Sequence, residues 1–262
     1  MQITYVGHAT LLIEIGGVRF LTDPNFDRKL GKFLPRVSAP GVALDALPAL
    51  DTILLTHAHA DHLSFDSLDR LPHNVPLLAP APVARWLAAR GYAHAEALTP
   101  GKVRDVGGVK VSAAAATHRG ARYGVDRWRG AANMYLLDAG AERGSIFFAG
   151  DTALMPDSTA MVDERLTKCG RRLDVALLPI GHAPRWKFNF RRGHLTSADA
   201  LELFDRLNAR HFIPYHWGTF RHVTSGAHDA IRRLRLQLES HARGADVRIV
   251  EPGGSFELEA AS

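Results

Sequence analysis

Short apolar runs separated by turn residues dominate the first half of the chain. The runs at residues 3–6 and 11–15 predict two strands. Gly16-Gly17 then predicts a hairpin turn into a third strand at residues 18–21. Later apolar runs predict strands at residues 52–55, 75–79, 95–98, 109–116, 133–137, 145–148, 174–179 and 211–214. Two more short strands are predicted near the end of the chain, so β-structure is expected throughout.

Apolar residues with a helical period predict helices between several of these strands. Ala200, Leu203, Phe204 and Leu207 share one face of a predicted helix at residues 196–208. Other helices are predicted at residues 64–71, with Ser64 as N-cap, at 82–90 and at 229–243. Each half of the chain begins with strands and continues with mixed strands and helices. This order indicates an α/β protein with two stacked sheets and helices outside, in a single domain over residues 1–262.

Composition narrows the function classes. Hydrophobic residues make up 46% of the chain and charged residues 23%, as in ordinary globular proteins. The net charge of +5 is no nucleic-acid signature, and it is compatible with a small anionic substrate. The single cysteine, Cys169, excludes an internal disulfide and fits a reducing compartment. We see no leader pattern and no apolar run of membrane-spanning length, so a cytoplasmic protein without a stable membrane anchor is expected.

The densest chemistry follows the apolar run at residues 52–55. His57, His59, Asp61 and His62 place three imidazoles and a carboxylate within six residues. In an extended turn, His57 and His59 point the same way and can reach one ion. Asp61 and His62 lie one step further on and can face a second ion. A loop of solvated histidines is the plain alternative, but this spacing rarely arises by chance even with 14 histidines in 262 residues.

Three more candidate ligands follow apolar strands in the same way. His118, Asp151 and His216 each lie just past the C-terminal end of a predicted strand. A sheet sandwich collects such strand ends along one edge, so these loops can converge on one site. Together with the His-rich loop they supply seven ligands of suitable type. With solvent, that set is enough for two four-coordinate ions that share one carboxylate.

These motifs resemble those of the metallo-β-lactamase superfamily. The resemblance implies a four-layer αββα sandwich with two divalent metal ions, Zn²⁺ being expected and Mn²⁺ or Fe²⁺ being alternatives. It implies that three imidazoles bind the first ion, those of His57, His59 and His118. It also implies that one carboxylate and two imidazoles bind the second, those of Asp61, His62 and His216. Asp151 would bridge the two ions.

Further stretches are similar to the N-acylphosphatidylethanolamine phospholipase D-like branch of this superfamily, with the ascorbate-6-phosphate lactonases as near relatives. They are residues 7–14, 21–24, 184–186 and 216–220. One departure lies at His182-Ala183, where that branch usually has Ala-Tyr, so the wall beside the metals is altered. The N-terminal extension of the mammalian phospholipase has no counterpart in this sequence, so membrane docking is not expected to carry over.

The implied activity is hydrolysis by a metal-bridging hydroxide, acting on a phosphodiester or a phosphorylated small molecule. Asp61 can ligate and orient that hydroxide. Candidates for orienting the ligands or protonating the leaving group are His8, His182 and His194. Candidates for contact with an anionic substrate are Arg122, Arg185 and Trp186.

Several alternatives stay open at this point. Lactone hydrolysis could use the same metal centre. An RNA-processing nuclease is disfavoured because the basic residues are scattered and no RNA-binding insert is visible, so no nucleic-acid partner is expected. Redox chemistry at a di-iron site would suit the N and O ligands but lacks a visible flavin or sulfur-handling element. A metal-binding scaffold without activity is disfavoured because every ligand is present.

Overall fold

The structure, a computed structural model, describes residues 1–30, 34–122, 128–181, 192–221 and 226–259. Its strands are β1 (Gln2–Gly7), β2 (Thr10–Ile15), β3 (Val18–Thr22), β4 (Lys29–Leu30), β5 (Leu34–Pro35), β6 (Thr52–Leu54), β7 (Leu77–Ala79), β8 (Ala95–Ala97), β9 (Val103–Val106), β10 (Val109–Ala115), β11 (Asn133–Asp138), β12 (Ser145–Phe148), β13 (Val175–Pro179), β14 (His211–Tyr215) and β15 (Ser255–Glu257). Its α-helices are α1 (Phe65–Arg70), α2 (Ala81–Ala88), α3 (Ala160–Arg165), α4 (Ser197–Leu207) and α5 (Asp229–Leu238).

Most of these strands form two sheets. The first has the order β15-β1-β2-β3-β6-β7-β8 and the second the order β14-β13-β12-β11-β10-β9. Strands β3, β6, β7 and β8 run parallel, as do β12, β13 and β14, and the remaining pairs within the two sheets are antiparallel. Helix α1 joins β6 to β7 and helix α2 joins β7 to β8, because parallel neighbours need a crossover connection. The predicted α/β architecture of two sheets is confirmed.

Successive residues of the strands face different hydrophobic clusters. On β6, Ile53 belongs to the cluster that contains Leu68 of α1 and Leu87 of α2. The next residue, Leu54, belongs to the larger cluster, which joins residues of both sheets. A strand buried on both faces reads as a continuous apolar run, which explains the short runs in the sequence.

The helix starts agree with the predicted caps. Ser64 Oγ accepts the N–H of Ser67 at 3.1 Å at the start of α1. Thr196 caps α4 and forms a reciprocal capping box with Asp199. The buried face of α4 contains the predicted residues Ala200, Leu203, Phe204 and Leu207.

Three predictions of secondary structure were wrong in detail. Helix α5 ends at Leu238 rather than at residue 243, because the polar residues after it include His241, whose ring bonds Asp205 at 3.1 Å. The segment at residues 25–41, for which no strand was predicted, contains the antiparallel pair of β4 and β5. Two strands were predicted near the end of the chain, but among the described residues there only β15 is a strand. In place of the second, Val247 makes an isolated bridge to Phe212.

Among the described residues, no helix has the length and apolar character needed to cross a lipid bilayer.

Candidate metal centre

Four loops bring the predicted ligands to one edge of the sandwich. The His-rich loop follows β6, His118 follows β10, Asp151 follows β12 and His216 follows β14. The strand ends therefore converge as the sequence predicted.

One group of donor atoms comes from three imidazoles. Single ring nitrogens of His57, His59 and His118 lie within 4.8 Å of one another. His59 Nδ1 is 2.9 Å from His118 Nε2. His57 Nε2 is buried and has no hydrogen-bond partner among the described residues. Three ring nitrogens thus converge on one space, an arrangement that fits a cation.

A second group lies beside the first and contains His8, Asp61, His62 and His216. Each offers one possible ligand atom, and these atoms lie within 4.8 Å of one another. His62 Nε2 is 3.3 Å from His216 Nε2. Asp61 Oδ2 is 3.8 Å from His62 Nε2 and 3.6 Å from His216 Nε2. This group contains the three ligands predicted for the second ion. It also contains His8, whose Nε2 is 3.0 Å from Asp61 Oδ2.

Asp151 lies between the two groups. Its carboxylate is within 4.8 Å of donor atoms of His57 and His62, and it also groups with His118 and His194. Its side chain is 2% exposed, and neither oxygen has a hydrogen-bond partner among the described residues. Burial of a carboxylate without such a partner is costly, so these orphaned oxygens fit a ligand shared by two cations. The surrounding imidazoles and carboxylates suit Zn²⁺, and also Mn²⁺ or Fe²⁺.

Hydrogen bonds behind the rings decide which nitrogen remains free. Asp23 Oδ2 lies 2.7 Å from His62 Nδ1 and accepts the hydroxyl of Thr56 at 2.6 Å. Asp23 Oδ1 accepts the Thr56 N–H at 2.7 Å. Since His62 Nδ1–H donates to Asp23, its Nε2 keeps a lone pair for a cation whenever the ring is neutral.

The rings of the first group are oriented in the same way. His118 Nδ1–H donates to the carbonyl oxygen of Gly193 at 2.7 Å, and His57 Nδ1 is 3.0 Å from Thr56 Oγ1. A Cβ on Gly193 would lie 2.9 Å from His118 Nδ1, so a glycine is needed for this close approach. The ligating nitrogen of each ring is left facing the shared space.

The charge states of these groups follow from burial and from their neighbours. Burial lowers the pKa of His118 to about 3 and lowers that of His57 well below its ordinary value. Burial would raise the pKa of Asp151, but His216 and His62 beside it lower that pKa well below its ordinary value. Neutral imidazoles and ionised carboxylates are the forms that bind divalent cations.

His8 and His216 hold a strained backbone at the centre of the site. Their φ angles are 57° and 70°, in the left-handed region that residues other than glycine rarely adopt. The N–H of His216 donates to the carbonyl oxygen of His8 at 2.9 Å, and the ring centroids are 3.8 Å apart. Such conformations cluster at functional sites, where surrounding contacts hold them in place.

His194, a predicted catalytic residue, lies at the open side of the centre. Its Nε2 is 3.4 Å from Asp151 Oδ2, and its side chain is 18% exposed. Its ring meets that of His118 edge-on, with 4.9 Å between centroids. The side chain is therefore beside the centre and reachable by a substrate.

Arg122, predicted to contact substrate, makes structural contacts. Its Nη1 donates to the carbonyl oxygen of Leu63 at 2.6 Å, and its guanidinium lies 4.5 Å from the ring centroid of Phe65. These contacts hold the end of the His-rich loop. The remaining predicted site residues, His182, Arg185 and Trp186, lie outside the described residues, so their roles stay predictions.

Asp23 is a site residue that was not predicted from the sequence. It lies directly after β3, it is fully buried, and its φ of 35° turns its carboxylate toward Thr56 and His62. The signal was present: Thr22-Asp23-Pro24 ends a strand beside the strand that precedes the His-rich loop. A carboxylate at such a strand end belonged among the candidates.

Comparison with known sequences gives consistent relatives. The chain is 28% identical over 243 residues to N-acyl-phosphatidylethanolamine-hydrolyzing phospholipase D 1 of Caenorhabditis elegans, covering 83% of this chain and 64% of that protein. It is 30% identical over 264 residues to a metal-dependent hydrolase of Opitutus terrae, covering 98% of this chain and all of that protein. The chain thus spans less than two thirds of the nematode phospholipase.

Solved structures share the fold. A possible metal-dependent hydrolase from Veillonella parvula has a TM-score of 0.79 at 16% identity, covering 98% of this chain and 99% of that one. The isothiocyanate hydrolase from Delia radicum gut bacteria has a TM-score of 0.78 at 20% identity, covering 99% of this chain and all of that one. The family described as "Beta-lactamase superfamily domain" matches residues 18–217. The chain belongs to this family and is a metal-dependent hydrolase with the metallo-β-lactamase fold.

Proposed function

We propose that this hydrolase cleaves a phosphodiester or another phosphorylated small molecule at a centre of two divalent ions, with zinc as the expected metal. The observation that supports two ions is the position of Asp151. Its buried, orphaned carboxylate lies between one group of three imidazoles and a second group of imidazoles and a carboxylate. A single ion would leave one of these groups uncompensated.

Two ions held there would supply water with a pKa lowered toward neutrality and would neutralise charge developing on a substrate oxygen. The chain's own residues determine the geometry of that centre. Asp23 fixes the His62 ring, Gly193 fixes the His118 ring, and His8 holds Asp61. These partners are themselves buried, which favours a centre that is organised before any substrate binds.

A phosphorylated substrate is favoured by the relatives and by the residues near the open side. The nematode relative and a yeast relative are both named phospholipase D, an activity on a phosphodiester. We assign to His194, whose Nε2 is 3.4 Å from Asp151 Oδ2, the role of giving a proton to a leaving group. We retain Arg185 and Trp186 as contacts for an anionic substrate and His182 as a further acid or orienting residue. A nucleic-acid partner is not proposed.

The test is metal analysis of the purified protein beside an activity panel. We expect close to two ions per chain and hydrolysis of bis(p-nitrophenyl) phosphate that stops on chelation. His216→Ala should lower the metal content and should reduce turnover by about 100-fold or more, since a direct ligand is lost. Robust lactone hydrolysis without diester hydrolysis, under zinc, manganese and iron, would select the lactonase alternative. A metal content of one ion, unchanged in His216→Ala, would contradict the two-ion centre.

A further inference from the structure

The second ligand group is supported by two separate pieces of chain. One is the segment at residues 23–27, which runs beneath the His-rich loop. The other is the loop at residues 216–221, which follows β14 and carries His216. The two pieces are distant in sequence, so something must hold them in register.

The segment at residues 23–27 contacts the His-rich loop with every second side chain. Asp23 bonds Thr56 and His62, as described above. The Nδ2 of Asn25 donates to the carbonyl oxygen of Ala60 at 3.0 Å, directly before Asp61. Asp27 Oδ1 accepts the hydroxyl of Ser64 at 2.7 Å, at the end of the loop. Three side chains of this short segment therefore reach three parts of the loop.

The loop at residues 216–221 supports the other side of the same group. The hydroxyl oxygen of Thr219 accepts the N–H of His8 at 2.6 Å. The ring of Phe220 meets the ring of His8 edge-on, with centroids 5.1 Å apart. His8 in turn contacts both Asp61 and His216. A displacement of Phe220 or Thr219 would therefore move ligands of the second group.

Arg36 connects the two pieces. Its Nε donates to the carbonyl oxygen of Asp27 at 2.8 Å, and its Nη2 donates to that of Asn25 at 2.6 Å. The same guanidinium lies over the ring of Phe220, 4.8 Å from its centroid. The backbones of Arg36 and Phe220 form an antiparallel bridge, and the next N–H, that of Val37, donates to Thr219. A planar guanidinium is suited to this task, because its edge can bond two carbonyls while its face stacks on a ring.

We propose that Arg36 is a positioning residue for the second ligand group, which couples the segment beneath the His-rich loop to the loop that carries His216. The first group depends on it only indirectly, through Asp23, which bonds Thr56 and lies two residues before the nearest carbonyl that Arg36 contacts. The rings of His57 and His118 are oriented by Thr56 and Gly193, and Arg36 contacts neither of these. Loss of Arg36 should therefore weaken one ion selectively. This inference rests on the two-ion centre proposed above.

The experiment is stepwise titration of the metal-free full chain with Co²⁺, followed by visible absorption and calorimetry. Arg36→Met removes both donors and keeps most of the stem. We expect the first equivalent to bind with wild-type affinity and the second to bind at least ~10-fold more weakly, the scale seen when a group that orients a ligand is lost. The weakened equivalent should be the one that His216→Ala also loses.

Arg28→Met is the matched control, because Arg28 is an exposed arginine directly after that segment and bonds Arg36 through its backbone carbonyl, which the substitution keeps. It should bind both equivalents normally. Phe220→Leu keeps the hydrogen bonds of Arg36 and removes the ring. It should therefore also weaken the second equivalent selectively. If Arg36→Met does not fold, Phe220→Leu tests the role of Arg36 by itself.

Normal second-ion affinity in Phe220→Leu and in any folded Arg36→Met would overturn the role of Arg36 and leave the two-ion centre intact. Equal weakening of both equivalents in Arg36→Met would overturn it as well. Uptake of a single ion by the wild type would instead overturn the two-ion centre, and the coupling with it.

Discussion

At the sheet edge where β11 ends and β12, β13 and β14 begin, two carboxylates have a cation from the protein itself. Both terminal nitrogens of Arg171 donate hydrogen bonds to the carboxylate of Asp138, at 2.7 and 2.8 Å. Asp174 lies 3.1 Å from Arg210 Nε. At the opposite ends of these strands the arrangement is reversed. Asp151 is more deeply buried than either of them, yet no guanidinium or ammonium contacts it among the described residues.

The difference indicates that the two edges have different roles. At the first edge, a half-buried carboxylate is paired with an arginine of the chain. Such a pair costs little free energy at a partly exposed position. Among the described residues only imidazoles face Asp151, those of His62, His194 and His216. Burial would lower the pKa of His62, but Asp151, Asp23 and Asp61 raise it well above its ordinary value, so without metal this ring carries the balancing charge. A bound metal ion would replace that proton and supply the balance from outside the chain. Stability at the second edge should therefore depend on metal, and stability at the first should not.

The largest expected effect is removal of metal. A ligand that binds only the folded state stabilises it by about 2.7 kcal/mol when its free concentration is 100 times Kd. Urea unfolding with saturating zinc should therefore give a free energy of unfolding at least that much above the value in chelator. Identical unfolding curves in zinc and in chelator would show that the orphaned groups are not compensated by a cation.

The next effect concerns the shared carboxylate. Asp151→Ala should reduce turnover by about 100-fold or more and should loosen both ions, because it leaves two cations facing each other without an anion between them. Asp157→Ala, an exposed carboxylate on the same loop, is the control and should keep activity and metal. Full metal content with near-normal turnover in Asp151→Ala would contradict its bridging position.

A smaller effect is expected for the carboxylate behind the ligands. Asp23→Asn keeps the shape of the side chain but accepts a hydrogen bond from His62 less strongly. Metal affinity should fall by roughly 10-fold, measured by competition with a chromophoric chelator. Asp51→Asn is the matched control, since Asp51 lies before the start of β6, at the end of that strand opposite the ligands, and accepts the N–H of Arg19. Equal affinities in both variants would reduce Asp23 to a purely structural residue.

The sequence alone was enough for the two-sheet α/β fold and for the proximity of the predicted ligands at one edge. A ligand such as His118 or His216 follows an apolar strand directly, so its place at a sheet edge is a local property. Asp23 and Arg36 could not be assigned in this way. His62, a partner of Asp23, is 39 residues away in sequence, and the partners of the Arg36 guanidinium are 9 or more residues away. Both sets of contacts depend on how the sheets pack.

The strands that were not predicted were missed for a similar reason. β4 and β5 have two residues each, too few for an apolar period, and they are held by a bridge to residue 220. β9 was not predicted because its residues are mostly exposed and it forms the edge of its sheet. Short edge strands with charged residues carry little hydrophobic pattern.

The smallest expected effect belongs to the edge that balances its own charge. The hydrogen bonds from Arg171, together with that from the N–H of Gly140, lower the pKa of Asp138 although burial opposes them. A carboxyl group whose pKa is lower in the folded state stabilises the fold above its unfolded pKa of about 3.9. That contribution is lost as the pH falls through the folded pKa.

Arg171→Met should therefore cost about 1 kcal/mol of unfolding free energy at pH 7, with both side chains partly exposed and the bond bidentate. The difference from wild type should shrink as the pH falls below about 4, where the unfolded chain binds the proton, and should vanish once Asp138 is protonated in the folded protein as well. The measurement is urea unfolding of both proteins in chelator, so that metal loss in acid does not contribute. Arg210→Met is the control, and its cost should be smaller because Arg210 is 56% exposed and approaches Asp174 with a single nitrogen. A deficit in Arg171→Met that stays constant from pH 7 to pH 3 would mean that the arginine acts through packing of its stem rather than through its charge.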